Sequence, residues 1–244
     1  MNSLELFRSG KLDEAVQALG AELRSNPLDA KRRTFLFELL CFAGDYDRAE
    51  KHLTVLAESN KQAGLGGLLY RAALHAERLR QQMFTRREWP RYSGEPKAIS
   101  GTFDGKPFQS ISDTDPRIGD NLEVFVAGSY MWIPLEHIAE IQIPAPTKLR
   151  DLLWTPALVK TGPTFKGHEL GEVLIPVLAP MSSTHADEEV RLGRRTVFEP
   201  DQEYGEVPFG QKMLAVDDEE VPILEIRKLT FDVASGESRA AAAS

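Results

Sequence analysis

Two stretches of the chain repeat one another at a fixed spacing, and that spacing limits the folds open to its first third. Residues 9–19, SGKLDEAVQAL, align with residues 43–53, AGDYDRAEKHL, at an offset of 34 residues. Gly10 meets Gly44, Leu12 meets Tyr46, Asp13 meets Asp47, Ala15 meets Ala49 and Leu19 meets Leu53. A period of this length is that of tetratricopeptide repeats, each a helical hairpin. Every matched position has a physical reason. A glycine ends one helix where the chain must turn left-handed, and a small alanine lets two helices approach closely. The apolar side chains one and three turns on fill the contact between them. Pro27, within SNPLDAKRR (25–33), stops the second helix of the first unit and opens the next.

The next helix, about 30–42, carries Phe35, Leu36, Leu39, Leu40 and Phe42, a wide apolar face. A longer closing helix, about 64–84, has Leu65, Leu68, Leu69, Ala72, Leu79 and Met83 at helical spacing. One truncated repeat, one full repeat and a closing helix form a stack too short to cover its own apolar side, so it should lean on the rest of the chain. In such a stack the first helix of each pair lines a concave side. Repeat position then predicts a groove of Leu4, Arg8, Lys31, Thr34, Glu38 and Cys41, extended on the closing helix by Leu65, Leu68, Ala72 and His75. Apolar anchors flanked by charges suit an amphipathic helix of a partner. The competing outcome is that the second part of the chain packs into this concavity.

Composition divides the chain in the same place. Residues 1–91 hold 15 Lys+Arg against 12 Asp+Glu, a net of +3, whereas residues 92–244 hold 14 against 25, a net of −11. Pro27 is the single proline before position 90, and the other 14 of 15 follow. Proline interrupts helices and is tolerated at turns and strand edges. A boundary near 86–97 is therefore expected: a tetratricopeptide-like helical domain over 1–90, an α+β, mostly β, domain over 91–234, and a disordered tail over 235–244. The fold class is α+β with two domains, the helical array packed on the β part. The acidic balance argues against nucleic acid as the main ligand. No run of about 18 apolar residues occurs, so no membrane span is expected. The start, MNSLE, lacks a basic stretch followed by an apolar one, so no secretory signal is expected. A single cysteine, Cys41, excludes an internal disulfide and a Cys-rich metal site, which fits a reducing cytoplasm.

In the second part, AISGTFDGKPF reads as a hairpin around Asp104-Gly105, and LEVFVAGSYMWIP (122–134) as one or two strands broken at Gly128. GEVLIPVLAP (171–180) and VPILEIRKLTFDV (221–233) are further strands, and VDDEEVP (216–222) is an acidic turn between the last two. TKLRDLLW (147–154) has helix-like content with Thr147 as a cap. Within RDLLW, Arg150 and Asp151 should fix the loop by charge-assisted hydrogen bonds, and Leu153 and Trp154 should seal the core.

Candidate chemistry is thin. SSTHADEE (182–189) places Ser, His and Asp close in sequence, but a nucleophilic triad needs convergence in space, and no G-x-S-x-G elbow is present. DTDPRIGD (113–120) starts like a calcium loop, yet Arg117 and Val124 stand where acidic ligands belong. His52, His75, His137, His168 and His185 are scattered without a zinc-binding spacing. GLGG (64–67) lacks the preceding strand of a nucleotide site. Arg78, Arg80, Arg86, Arg87 and Arg91, near Trp89 and Tyr92, are ordinary complements to a helix C-terminus. No catalytic set, metal site or cofactor is expected, and a hydrolase or metal-dependent enzyme in the second part is the alternative.

The segment LEVFVAGSYMWIPLEHIAEIQIPAPTKLRDLLWTPA resembles the ImpE family, also called TagJ, of bacterial type VI secretion accessory proteins. GEVLIPVLAP, VRLGRRTVFEP and GQKMLAVDDEEVPILEIRKLTF agree, as do the N-terminal repeats, so the resemblance covers roughly 3–233. Its most specific pieces are G-x-Y-x-W-I-P with Tyr130 and Trp132, R-D-L-L-W with Arg150, Asp151 and Trp154, and R-L-G-R with Arg191, Gly193 and Arg194. The resemblance implies a cytoplasmic, non-enzymatic protein that binds the contractile sheath through an N-terminal helix of its small subunit (TssB). It also implies a role in sheath assembly or in recycling linked to the unfoldase ClpV.

Overall fold

A computed structural model describes residues 1–59, 64–91, 99–167 and 169–232, with the side chains of 59 and 64–66 outside the description. Five helices come first: α1 (Ser3–Arg8), α2 (Leu12–Ser25), α3 (Ala30–Phe42), α4 (Tyr46–Ser59) and α5 (Gly64–Arg86). The 34-residue repeat is visible in the backbone. Gly10 and Gly44 have φ of +80° and +73°. The amide of Lys11 donates to the Leu6 carbonyl at 3.0 Å, and that of Asp45 to the Leu40 carbonyl at 2.9 Å. Both turns thus close with the same left-handed residue and the same hydrogen bond across the helix end. The matched Ala15, Leu19, Ala49 and Leu53 are all buried. Each helix from α1 to α5 packs on the next.

In α5 the buried face is not the leucine-rich one. Leu68, Leu69 and Leu79 are exposed, while Ala73, Leu74, Ala76, Glu77, Arg80 and Phe84 are buried. Two charged residues therefore face inward on this helix, and their partners lie on the sheet.

The second part is antiparallel. Strands β1 (Gly101–Phe103), β2 (Lys106–Phe108), β3 (Ile111–Asp113), β4 (Asn121–Val126), β5 (Ser129–Pro134), β6 (Ile138–Gln142), β7 (Trp154–Thr161) and β8 (Gly171–Pro176) precede a short helix α6 (Glu188–Arg191). After it come β9 (Val197–Asp201), β10 (Gly205–Phe209), β11 (Met213–Val216), β12 (Glu219–Pro222) and β13 (Lys228–Phe231). Eight strands form one sheet in the order β2-β1-β13-β6-β7-β8-β4-β5, three form a second in the order β12-β11-β3, and β9 pairs with β10.

The hairpin predicted at Asp104-Gly105 is present, and the break predicted at Gly128 is the turn of a second one. Asp104 and Gly105 take φ of +47° and +85°, and Ala127 and Gly128 take +50° and +88°, the left-handed pairs that two-residue hairpins require. The acidic turn joins β11 to β12 through Asp217 (φ +52°). VPILEIRKLTFDV is not one strand: a 3-10 turn at Ile223–Glu225 separates β12 from β13. TKLRDLLW is a single 3-10 turn, Leu149–Leu152, and its cap runs opposite to expectation. Asp151 Oδ2 accepts from the amides of Thr147 and Lys148, both at 2.9 Å, so the aspartate holds the turn and Thr147 is the residue held.

The inner face of the large sheet packs Val124, Ile133, Ile141, Val159, Val173 and Ile175 against Leu214, Val216 and Val221 of the small sheet. On the outer face, Phe125, Leu153 and Trp154 join the helical core of Leu19, Phe37, Leu40 and Leu74. Helices and strands therefore share one interior. The expected boundary at 90/91 falls after α5 and just before residues 92–98, which lie outside the described residues, as does the tail 235–244.

Candidate functional site

Where α5 meets the outer sheet face, the chain buries a row of charges. Arg80 is 1% exposed, Glu123 1% and Lys212 3%. Arg80 donates from Nε and Nη2 to the two Glu123 oxygens at 2.7 and 2.9 Å, and from Nη2 to the Leu178 carbonyl at 3.0 Å. Lys212 Nζ donates to Glu123 Oε2 at 2.6 Å and also binds Asp113. On the other flank, Glu77 accepts from Gln81 at 2.6 Å and from the Trp154 indole at 2.9 Å. Tyr130 donates to Glu123 at 2.5 Å and in turn accepts from the Trp132 indole. Tyr130, Trp132 and Trp154 of the family motifs thus converge on one joint between helices and sheet.

Burial alone would raise the Glu123 carboxyl, but Arg80 and Lys212 outweigh it and hold the group well below the usual carboxylate range. At Asp113 burial prevails over Lys212 and pushes the group up to about 6. This arrangement orients groups and holds two layers together.

The R-L-G-R motif works at a second joint. Arg191 donates from both terminal nitrogens to Asp13 at 3.0 Å, and Arg194 donates to the carbonyls of Phe7 and Arg8 at 2.6 and 3.2 Å, closing the end of α1. Gly193 sits at φ +67°, where a Cβ would meet Leu178 at 2.6 Å. Glu188 accepts from the Asp13 amide at 2.9 Å, capping the otherwise uncapped start of α2 from 175 residues away. The stretch 182–191 crosses both repeat turns, since a Cβ on Gly10 would meet Glu189 at 2.4 Å and one on Gly44 would meet Ser183 at 2.8 Å.

The predicted concave groove is not continuous. Leu4, Arg8 and Lys31 are exposed and Thr34 is half-buried, and α1 and α3 touch through Phe7 and Phe35, whose rings are 5.5 Å apart. Farther along α3, Glu38 and Cys41 are buried, so neither is open to a partner. The RDLLW stretch fills their place. Trp154 packs on Phe37 at 6.5 Å, Leu153 and Trp154 lie beside Cys41, and Arg150 sits over the Tyr70 ring at 5.0 Å. Burial pushes Glu38 up to about 7, against the pull of Arg150. On α5, Leu68 and His75 are exposed and Ala72 packs against the Gly128 turn, while the Leu65 side chain lies outside the described residues.

A different recess opens beside α5 on the outer sheet face, with a volume of about 800 Å³. Its walls and floor are mostly apolar, including Leu69, Phe125, Pro156, Leu158 and Leu174, and Arg150, Glu172, Arg227 and Lys228 stand among them. Of the predicted residues, Ala72, Arg150, Asp151 and Trp154 line it. Sequence reading missed this recess and the buried charges. The signal for the latter was Glu123, a lone carboxylate in the otherwise apolar run LEVFV.

The other candidates resolve into structure. Ser182 donates to the Ala179 carbonyl at 2.6 Å and His185 contacts Glu199 at 2.9 Å. Asp115 of the calcium-like loop is taken up by Arg117, with contacts of 2.8 and 2.6 Å. Arg78 pairs with Asp47 and Glu50, Arg87 with Asp201 and Arg91 with Glu203, so these cations already have carboxylate partners. Among the described residues, which exclude His168, no group of three or more His, Cys, Asp or Glu is placed to hold a metal. No helix among them is long and apolar enough to cross a membrane.

These features define a class: an α+β chain whose helical repeats are locked onto an antiparallel sheet by buried charges, with an apolar recess beside the joint. Residues 105–230 match the family described as ImpE protein. The chain is 31% identical, over 93% of its own length and 90% of the relative's, to the type VI secretion system accessory component TagJ of Pseudomonas aeruginosa. The crystal structure of a Vibrio parahaemolyticus protein has the same fold, with a TM-score of 0.81 at 20% identity over 94% of this chain and 97% of that one. The chain belongs to the ImpE family.

Proposed function

We propose that this chain is a non-enzymatic, protein-binding accessory of the type VI secretion apparatus, acting in the cytoplasm. Its partner in this reading is the contractile sheath, held through the N-terminal helix of the small sheath subunit (TssB). The consequence is support for sheath assembly or for recycling through ClpV. The observation that carries the protein-binding reading is the recess of about 800 Å³, apolar and open at the surface. Exposed apolar surface of this kind marks an interaction site in a chain of this size. The identity over 93% of the chain to a type VI accessory component supplies the context.

The test is calorimetry of the full chain against the small sheath subunit, its isolated N-terminal peptide, and the large sheath subunit. Saturable binding to the small subunit and to the peptide is expected. Absence of binding to both overturns the reading. The exposed Leu4, Arg8 and Lys31 at the start of the helical array, with the half-buried Thr34, form a rival seat. Reversing the charges of Arg8 and Lys31 together measures its share.

A further inference from the structure

Helix α5 covers only part of the outer face of the large sheet. It packs over the β4–β5 end, where a Cβ on Gly128 would stand 3.5 Å from that of Ala72. Beside it, over β6, the Pro156–Leu158 part of β7 and Glu172 of β8, the same face borders the recess. Strand register puts Lys228, Gln142, Leu158 and Glu172 in one row across this floor, and Pro156, Leu174 and Phe125 in the next. Leu158 is 36% exposed on the floor and Leu69 66% exposed on the wall.

Two features select what can lie there. First, the floor is the face of a sheet and not its edge, because β6, β7, β8 and β4 are each paired on both sides. An extended segment would find no backbone partner and would leave its own amides and carbonyls unpaired against apolar surface, whereas a helix satisfies them internally. Second, the lips carry opposite charge. Arg227 donates its guanidinium to the carbonyls of Leu224 and Ile226, both at 2.8 Å, and among the described residues neither Arg227 nor Glu172 has an ion-pair partner. Lys228 and Glu172 lie three strands apart, about 14 Å at the usual spacing.

We infer that this recess seats one amphipathic helix of the partner, laid on the open sheet face beside α5 and completing the helical layer that α5 begins. Its apolar stripe meets Leu158, Leu174 and Leu69. An acidic side chain reaches Arg227 and a basic one reaches Glu172, both of which line the recess. The inference rests on the sheath-helix reading above and names the sheet face, not the groove of the helical array expected from repeat position, as the seat of that helix.

The experiment measures binding of a fluorescent peptide, the N-terminal helix of the small sheath subunit, and of the intact subunit, to full-length variants. Leu158→Glu is expected to weaken binding at least about tenfold, and Arg227→Glu about three- to tenfold with a flatter salt dependence. The double variant R8E/K31E should change affinity less than about twofold. Leu69→Glu, on a more exposed wall, repeats the test if Leu158→Glu lowers the melting temperature. Normal binding by Leu158→Glu, Leu69→Glu and Arg227→Glu with loss in R8E/K31E overturns the seat and leaves the partner standing. A parent chain that binds neither peptide nor subunit overturns both.

Discussion

The two faces of the large sheet are held by different forces. The inner face packs aliphatic side chains of two sheets, and its stability is a matter of area removed from water. The outer face meets α3 and α5 through Trp154, Tyr130 and the buried charges Glu77, Arg80 and Glu123, from which Lys212 continues to Asp113 of the small sheet. Apolar burial is non-directional and tolerates changes of shape at modest cost. A buried ion pair is intolerant of losing one member, because the survivor stays uncompensated. The inner face thus supplies cohesion, while the outer face specifies how the helical array sits on the sheet.

The sharpest way to break this contrast is at Glu123. Glu123→Ala removes the carboxylate shared by two buried cations, leaving Arg80 to Glu77 at 3.3 Å and Lys212 to Asp113, and should cost about 3–5 kcal/mol. Ile175→Val on the inner face should cost about 0.5–1.5 kcal/mol. Urea midpoints of the two variants measure the gap, and equal midpoints would remove the distinction between the faces.

Glu38 gives a pH signature of the outer joint. Its folded pKa is pushed up to about 7 by burial, against 4.5 as the ordinary value. Between those values the folded chain holds a proton that the unfolded chain has released, so this group's contribution falls as pH rises through the window. Glu38→Gln should therefore stabilise the chain by about 1–3 kcal/mol above pH 7 and by nothing below about 4.5. Parallel stability profiles of variant and parent across that range would count against burial as the cause.

Thr155 offers the opposite sign on the inner side. Its hydroxyl is buried without a hydrogen-bond partner, so Thr155→Val should raise stability by about 0.5–1.5 kcal/mol in thermal unfolding. A loss would reveal a partner for that oxygen. The smallest effect belongs to the surface tie of Arg191 to Asp13, whose carboxylate is more than half exposed. Arg191→Ala should cost under about 1 kcal/mol, with a difference that shrinks in high salt.

Features that depend on near neighbours were legible in the residues alone. The 34-residue repeat located both glycine turns, because a left-handed helix end constrains one residue locally. Asp104-Gly105 and the Gly128 break located two hairpins for the same reason. The motif residues Tyr130, Trp154, Arg191 and Arg194 were legible as fixed points, though not as the two joints they form. Which face of α5 is buried was set by long-range packing. Helical spacing favoured the leucines, but Glu77 and Arg80 go inward since Trp154 and Glu123 arrive there from distant strands with matching donors and acceptors. The same packing closed Glu38 and Cys41 under Leu153 and Trp154 and opened a recess on the sheet. Burial of a charge depends on a partner brought from far along the chain, and helical periodicity carries no information about that partner.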